Sequence, residues 1–324
     1  MLKYTFLLFL CLSTTLKAQV LSDSFQLNLA YHWAPIHVQD VKQNPKDGLG
    51  GRADYITAID FDGDWKMNNN WDNAANDQYD FSGKCYYSVS QTQSHWFIIY
   101  SFFHPRDWSD KFLIKKWDTH ENDLEGLLVV IKRPEIHSSN SFGELQAVLT
   151  VFHLNFYTFL PAKSSLKANK SKVHGKITMW PHPNHKGMHI VTAQEYGGHG
   201  LKAYPYVKPK GDDYVVYYPS LKKENPVPNG YIHQKAYYSL VNIFEEDGLW
   251  EHRKDSLTFA PNGGFYGLYG QKFSAKPPWK WNDFNDAFPD GGELATDPVK
   301  IVGSYLKGFK NLSEIYELNL YTPF

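Results

Sequence analysis

The chain has 324 residues, of which 42% are hydrophobic, 16% aromatic and 21% charged, and its formal net charge at pH 7 is -1. Binding along a nucleic acid backbone requires a concentration of Lys and Arg, so this near-neutral balance argues against a nucleic acid partner. Apolar and aromatic residues are spread along the chain, which excludes a protein that is disordered as a whole.

The first residues are typical of a cleaved secretory signal. Lys3 supplies a positive charge, residues 4–12 are mostly apolar, and the small residue Ala18 ends the segment. The apolar run is shorter than the about 20 residues that a membrane-spanning helix needs. We therefore predict a signal peptide at residues 1–18, a secreted protein (extracellular or periplasmic), and no transmembrane segment in the mature chain, residues 19–324.

Cysteine usage limits how the fold is held together. The sequence contains Cys11, which lies in the predicted signal, and Cys85. A mature chain with one thiol has no internal disulfide, so its hydrophobic core must stabilise the fold.

Short β-type runs separated by turn residues dominate the chain. Runs rich in Val, Ile, Tyr, Phe and Trp occupy residues 95–103, 126–132, 145–154, 189–193 and 214–218. Helical periodicity is found at residues 237–246 and at 297–307, where Asp297 and Pro298 form a typical helix start. We predict an all-β or β-dominant fold, a single β-sandwich domain over residues 19–324 with a few peripheral helices and long loops, and a monomer.

The most informative segment changes from polar to apolar within a dozen residues, at 119–131. In a strand, Asp123 and Glu125 share one face, followed on that face by apolar side chains. Two such carboxylates repel unless a positive charge lies between them, and a divalent cation meets that need. His120, on the incoming turn, adds an imidazole. An ordinary polar strand start is the alternative.

The segment at residues 100–107, followed by His120-x-x-Asp123-x-Glu125, resembles the core of the necrosis- and ethylene-inducing protein family. The resemblance implies that Asp107, His120, Asp123 and Glu125 bind a divalent metal at one end of a β-sandwich. The carboxylate oxygens of this set favour Mg²⁺, Ca²⁺ or Mn²⁺ over Zn²⁺. In that family the metal is needed for membrane damage. The chain departs from the family heptapeptide at Thr119, Glu121, Asn122 and Leu124.

A weaker similarity links three other segments to secreted relatives of a yeast vacuolar protein sorting-associated family. They are Ala-Pro-Ile-His at residues 34–37, Tyr-Gly-Gly-His-Gly at 196–200 and Pro-Pro-Trp-Lys-Trp-Asn-Asp at 277–283. This resemblance implies a related core and no particular activity.

Two histidines are candidates for catalysis. His199 lies between glycines, which lets the backbone approach closely and the imidazole project into a cleft. With His120, it is a candidate general base for a metal-bound water. A tight turn that exposes His199 to solvent is the alternative.

Other residues define weaker candidate sites. Asp60, Asp62 and Asp64 alternate like the start of a calcium loop but lack its Gly and Glu, so we predict at most a second, irregular metal site. Trp279 and Trp281 are candidates for stacking on sugar rings, although such residues also fill β-sandwich cores.

Three functional hypotheses follow. The first is a secreted protein that uses a divalent cation to bind a membrane lipid head group or a glycan. The second is a metallohydrolase, and the third is a structural binding module whose acidic cluster only orders a loop.

Overall fold

The computed structural model describes residues 21–110, 119–135, 140–207, 209, 213–222, 226–227, 230, 232–268, 275–284 and 292–321. The predicted signal peptide therefore lies outside the described residues. Strands dominate this part of the chain, as predicted. The strands are β1 (Ile36–Asp40), β2 (Gly83–Thr92), β3 (His95–Asp107), β4 (His120–Lys132), β5 (Glu144–Phe152), β6 (Asn155–Leu160), β7 (Lys167–Ala168), β8 (Val173–Lys176), β9 (Met179–Pro181), β10 (Met188–Gln194), β11 (Leu201–Ala203), β12 (Tyr214–Ser220), β13 (Gln234–Asn242), β14 (Leu306–Lys307) and β15 (Tyr316–Leu318).

Helices are short and few in the described ranges. They are α1 (Asp23–Trp33), α2 (Asn70–Asn73), α3 (Glu293–Thr296) and α4 (Pro298–Tyr305), with 3-10 turns at Leu49–Asp54, Glu251–Lys254 and Pro278–Lys280. The predicted helix at 297–307 is α4, and the Asp297 side chain accepts a hydrogen bond from the backbone of Lys300, as an N-cap residue does. None of the described helices is long and apolar enough to span a membrane.

One large sheet organises the molecule. Its order is β11-β10-β1-β12-β13-β2-β3-β4-β5-β6-β8, with β15 beside β2 and β9 beside β10. Strands β2 to β6 are antiparallel neighbours joined along the chain, whereas β13 pairs in parallel with both β12 and β2. Because strand twist accumulates across so many strands, the sheet curls, and β11 at one edge contacts β5.

The curl gives the sheet an inner and an outer face, each with its own core. The inner core contains Tyr100, Leu127, Val129 and Ile131, which alternate along β3 and β4 as the sequence predicts. The outer face carries Ile99, Leu128 and Val130, and the C-terminal segment covers it through Trp281, Val299 and Tyr305. Packing on both faces makes the fold sandwich-like, with β3 and β4 buried at its centre.

The predicted helix at residues 237–246 is wrong. This segment forms β13, in which Ala236 and Tyr238 face the inner core, and an adjoining turn. Its aromatic and branched residues suit a half-buried strand, and pairing with β12 and β2 satisfies its backbone groups on both sides. Tertiary pairing therefore decides the conformation here.

We expect Gly126→Ala to lower the free energy of unfolding by about 1–3 kcal/mol, because overpacking forces a well-packed core apart. A Cβ atom at Gly126 would lie 2.1 Å from the Tyr100 carbonyl oxygen and 2.6 Å from Cη2 of Trp281. Chemical denaturation measures the loss. Gly303→Ala, on the exposed surface of α4, is the control and should be neutral or stabilising. Equal effects of the two variants would contradict the close packing at Gly126.

Candidate metal centre

The antiparallel pairing of β3 and β4 brings the predicted ligands together. In this register Asp107 lies opposite His120, and His104 lies opposite Asp123. Residues that are 13 positions apart in the sequence thus become neighbours at one end of the sheet. The strand β4 already begins at His120, so this histidine belongs to the strand and not to an incoming turn.

A left-handed residue decides which side chains share a face. Asn122 has φ 63°, and this conformation interrupts the alternation of the strand. Glu121 and Asn122 both turn to the outer face: Glu121 accepts hydrogen bonds from the backbone of Trp71 and Leu268, and the Asn122 amide donates to the Met67 carbonyl. His120 and Asp123, three positions apart, consequently lie on the same side.

Three of the four predicted ligands converge closely. One ligand atom from each of Asp107, His120 and Asp123 lies within 4.8 Å of the others, and all three side chains are buried. Nε2 of His120 is 3.3 Å from Oδ2 of Asp107. Glu125 is buried on the same face of the strand but falls outside this tight group, and its Oε1 accepts the backbone N–H of His153 at 2.9 Å.

Two carboxylate oxygens at this centre have no hydrogen-bond donor among the described residues. They are Oδ1 of Asp107 and Oε2 of Glu125, in residues that are only 7% and 5% exposed. Burying a carboxylate oxygen without a hydrogen-bond donor costs free energy of folding. Because carboxylate oxygens are the preferred ligands of hard divalent cations, the residues present fit such an ion.

Without a cation, the centre favours bound protons. Burial by itself would lower the pKa of His120, but Asp107 and Asp123 outweigh it and raise that pKa to about 9. Burial raises the pKa of Asp107, against the effect of His120. The pKa of Glu125 is raised well above its usual range by burial and by the Asp123 carboxylate. Burial and neighbouring carboxylates together therefore favour bound protons here, and a cation could neutralise the same carboxylates.

His199 lies at the back of the centre and not in an open cleft. It is fully buried, with Nδ1 2.9 Å from Oδ2 of Asp123 and Nε2 3.3 Å from Oδ1 of Asp54. Its ring stacks on that of His104, with the ring centres 3.7 Å apart. Because both ring nitrogens are engaged, His199 is placed to orient Asp123 and not to act as a general base on water.

The glycines around His199 allow the close approach that the sequence predicts. A Cβ atom at Gly197 would lie 2.5 Å from the Trp108 carbonyl oxygen, and Gly197 has φ 79°. A Cβ atom at Gly198 would lie 2.9 Å from Cε1 of His153 and 3.7 Å from Oδ2 of Asp107. The glycine loop therefore forms a wall directly against the metal centre.

Three further residues complete the centre. Asp54, at the end of a 3-10 turn, accepts hydrogen bonds from Trp108 Nε1 and from the backbone of Gly197. His153, in the turn between β5 and β6, lies with Nε2 2.9 Å from Oε1 of Glu195. No sequence signal identifies Asp54, whereas Glu195 directly precedes the Tyr-Gly-Gly-His-Gly segment.

The acidic turn at residues 60–64 does not form a comparable group of converging ligand atoms within the described ranges. Asp62 accepts a hydrogen bond from the Asn73 amide, and Asp64 accepts one from the backbone of Lys66 and pairs with its ammonium group. Asp60, Asp62 and Asp64 thus remain separate, and hydrogen bonds within this polar loop account for two of them.

The two predicted stacking residues have different surroundings. Trp281 is 4% exposed and packs in the outer core over Gly126, so neither face of its ring is open to a sugar. Trp279 is partly exposed and lines a separate cavity. Stacking therefore remains a prediction for Trp279 alone.

Comparisons with known proteins return structural matches only. No protein family model and no curated protein matches the chain. Among solved structures, NLPPya in complex with mannosamine matches at 13% identity over 78% of this chain and 83% of that chain, with a TM-score of 0.33. Necrosis and Ethylene inducing Protein 2 from the causal agent of cocoa's Witches Broom disease matches at 13% identity over 77% and 84%, with a TM-score of 0.31.

A third solved structure matches at similarly low sequence identity and TM-score. The non-toxic HaNLP3 protein is 14% identical over 66% of this chain and 73% of its own, with a TM-score of 0.28. All three matched proteins are of the necrosis- and ethylene-inducing type, the family that residues 100–125 resemble. TM-scores this low carry no argument about function, which has to rest on the residues of the metal centre.

Proposed function

We propose that this protein is a secreted binder of a membrane lipid head group or a glycan, and that it binds through a divalent cation. The observation that carries the proposal is the pair of buried oxygens without donors, Asp107 Oδ1 and Glu125 Oε2, beside the converging Asp107, His120 and Asp123. A bound cation would join these carboxylates to hydroxyl or phosphate oxygens of the target. His199 and Asp54 would hold Asp123 in place.

The surroundings of the centre support a surface as the target. Leu154 is 58% exposed and Phe284 is 56% exposed, and the backbone N–H of Phe284 donates to the Leu154 carbonyl at 3.0 Å. Leu154 follows His153, whose backbone N–H is bonded to Glu125. Two large exposed apolar residues are thus linked through the backbone to the segment that holds Glu125, and a lipid or an amphipathic glycan surface would meet them.

Melting curves after chelation, with Mg²⁺, Ca²⁺, Mn²⁺ and Zn²⁺ returned separately, test the cation. We expect at least one of the first three ions to stabilise the protein by about 2.7 kcal/mol at a concentration about 100 times Kd. Asp123→Asn should abolish the gain in Tm. Asp64→Asn, the same chemical change in the acidic turn, should keep it. If only Asp64→Asn loses the gain in Tm, the cation site lies in the acidic turn. If no ion raises Tm, the structural binding module is the hypothesis that remains.

One observation keeps a metallohydrolase as the second candidate. His153, with 41% of its side chain exposed, is bonded to Glu195 at the mouth of the centre. This pairing orients an imidazole in the manner of a general base, a role that the buried His199 does not fit. Turnover of ester or phosphodiester substrates that is lost in His153→Gln, with cation binding retained, would favour the hydrolase. Cation-dependent binding of vesicles or glycans without turnover would favour the binder.

A further inference from the structure

A cavity of about 420 Å³ lies apart from the metal-binding residues, between the turn Glu251–Lys254 and the turn Pro278–Lys280. The residues that matter for its chemistry are Arg253, Lys254, Phe259, Asn262, Trp279 and Lys280. No residue of the metal centre lines it. Its volume falls in the range of small-ligand sites and suits one or two sugar rings.

All the charged residues that line this cavity are positive. Arg253, Lys254 and Lys280 line it, and none of its lining residues is Asp or Glu. In the part of the chain that the structure describes, no carboxylate lies within ion-pair distance of these three cations. The concentration is local, because the chain as a whole has a net charge of -1.

The acidic residues of the same segment are engaged elsewhere. Glu251 accepts the backbone N–H of Asp247 at 3.0 Å. Asp255 accepts the backbone N–H of Leu257 at 2.8 Å, and its second oxygen is 3.9 Å from Nδ1 of His252. Neither carboxylate lines the cavity, so the positive charge of its wall is available to an anion.

One wall of the cavity is aromatic and held in position. The ring of Trp279 contacts Trp250, Phe259 and Tyr321, with ring centres 4.9, 5.8 and 6.3 Å away. Arg253 is oriented by the same cluster, since Nη1 donates to the Trp250 carbonyl at 2.7 Å and the guanidinium group lies 4.6 Å from the Trp250 ring centre. A rigid indole and a fixed guanidinium group bind a ligand at low entropic cost.

We propose that this cavity binds an acidic saccharide. The sugar ring would stack on Trp279, and its carboxylate or sulfate group would lie among Arg253, Lys254 and Lys280. A planar aromatic wall alone would accept any sugar, and cations alone would accept any anion. Their combination selects a ring that carries a negative charge. The inference does not depend on the cation at the metal centre.

Titration calorimetry in the presence of chelator tests the proposal without the metal. The probes are a galacturonic acid trisaccharide, a sulfated disaccharide, a neutral galactose trisaccharide and inorganic sulfate. We expect at least one acidic saccharide to bind about tenfold more tightly than either the neutral sugar or inorganic sulfate, and more weakly as salt is added. Equal binding of acidic and neutral sugars, or of sulfate and the sulfated sugar, would overturn the proposal.

Trp279→Ala would remove part of a packed cluster and so disturb folding. The test therefore uses variants of surface residues. Lys254→Gln and Lys280→Gln should each weaken binding of the acidic saccharide about tenfold. Lys310→Gln, the same change on an exposed lysine outside the cavity, should leave it unchanged. Unchanged binding in both cavity variants would refute the site, whatever the result at the metal centre.

Discussion

Replacing His199 with alanine is expected to lower the free energy of unfolding by about 3–5 kcal/mol, because it removes the partner of a buried charge. The imidazole lies between Asp54 and Asp123, is fully buried and stacks on His104. Burial opposes its charge, but hydrogen bonds to Asp123 and Asp54 raise the pKa of His199 to about 9. It is therefore protonated at neutral pH, and its loss removes the hydrogen-bonded cation that lies between Asp54 and Asp123.

The chain contains a matched control for this prediction. His233 also has a positive φ and also pairs with an aspartate, Asp213 at 3.3 Å, but its side chain is 43% exposed. His233→Ala should cost less than about 1 kcal/mol, as exposed ion pairs do. Urea denaturation of both variants measures the difference. Similar losses in the two variants would show that burial of the His199 pair adds nothing to stability.

Cation binding is expected to strengthen steeply with pH. The pKa of His120 in the cation-free protein is about 9, against 6.5 for an ordinary histidine, and the pKa values of Asp107 and Glu125 are also raised. Since a ligand must be deprotonated, the ion displaces bound protons, and each proton released raises the affinity about tenfold per pH unit. From about pH 6.5 to about pH 8.5 we expect a gain of at least about a hundredfold.

The same pKa shifts determine how the stability of the cation-free protein changes with pH. The folded state binds more protons at His120 than the unfolded state, so this stabilisation is complete below pH 6.5 and is lost as pH rises through about 9. Added cation should reverse the loss at high pH. Calorimetry in two buffers of different ionisation enthalpy counts the protons, and His120→Gln should release about one fewer. A flat affinity with no proton release would exclude His120 as a ligand.

Local sequence patterns predicted the elements that depend on nearest neighbours. Runs rich in β-branched and aromatic residues identified the central strands, and Asp297 with Pro298 identified the start of α4. The same approach failed at residues 237–246, because β13 depends on parallel partners that are far away in sequence. A short aromatic segment is compatible with either helix or strand until its partners are known.

The metal centre was likewise predictable from the sequence only in part. The spacing of His120, Asp123 and Glu125 in one strand made a cation site predictable, and the family resemblance added Asp107. The role of Asn122 was not predictable, because its left-handed conformation follows from the outward hydrogen bonds of its amide and of Glu121.

The sequence by itself determined a β-dominant chain and a polar strand start rich in carboxylates, because alternation and spacing act over a few residues. The tertiary structure decided which side chains share a face, that His199 is buried between Asp54 and Asp123, and that Trp281 fills the core while Trp279 lines a cationic cavity. These outcomes depend on contacts between residues that are distant along the chain, and only the curled sheet and the segments packed on it bring those residues together.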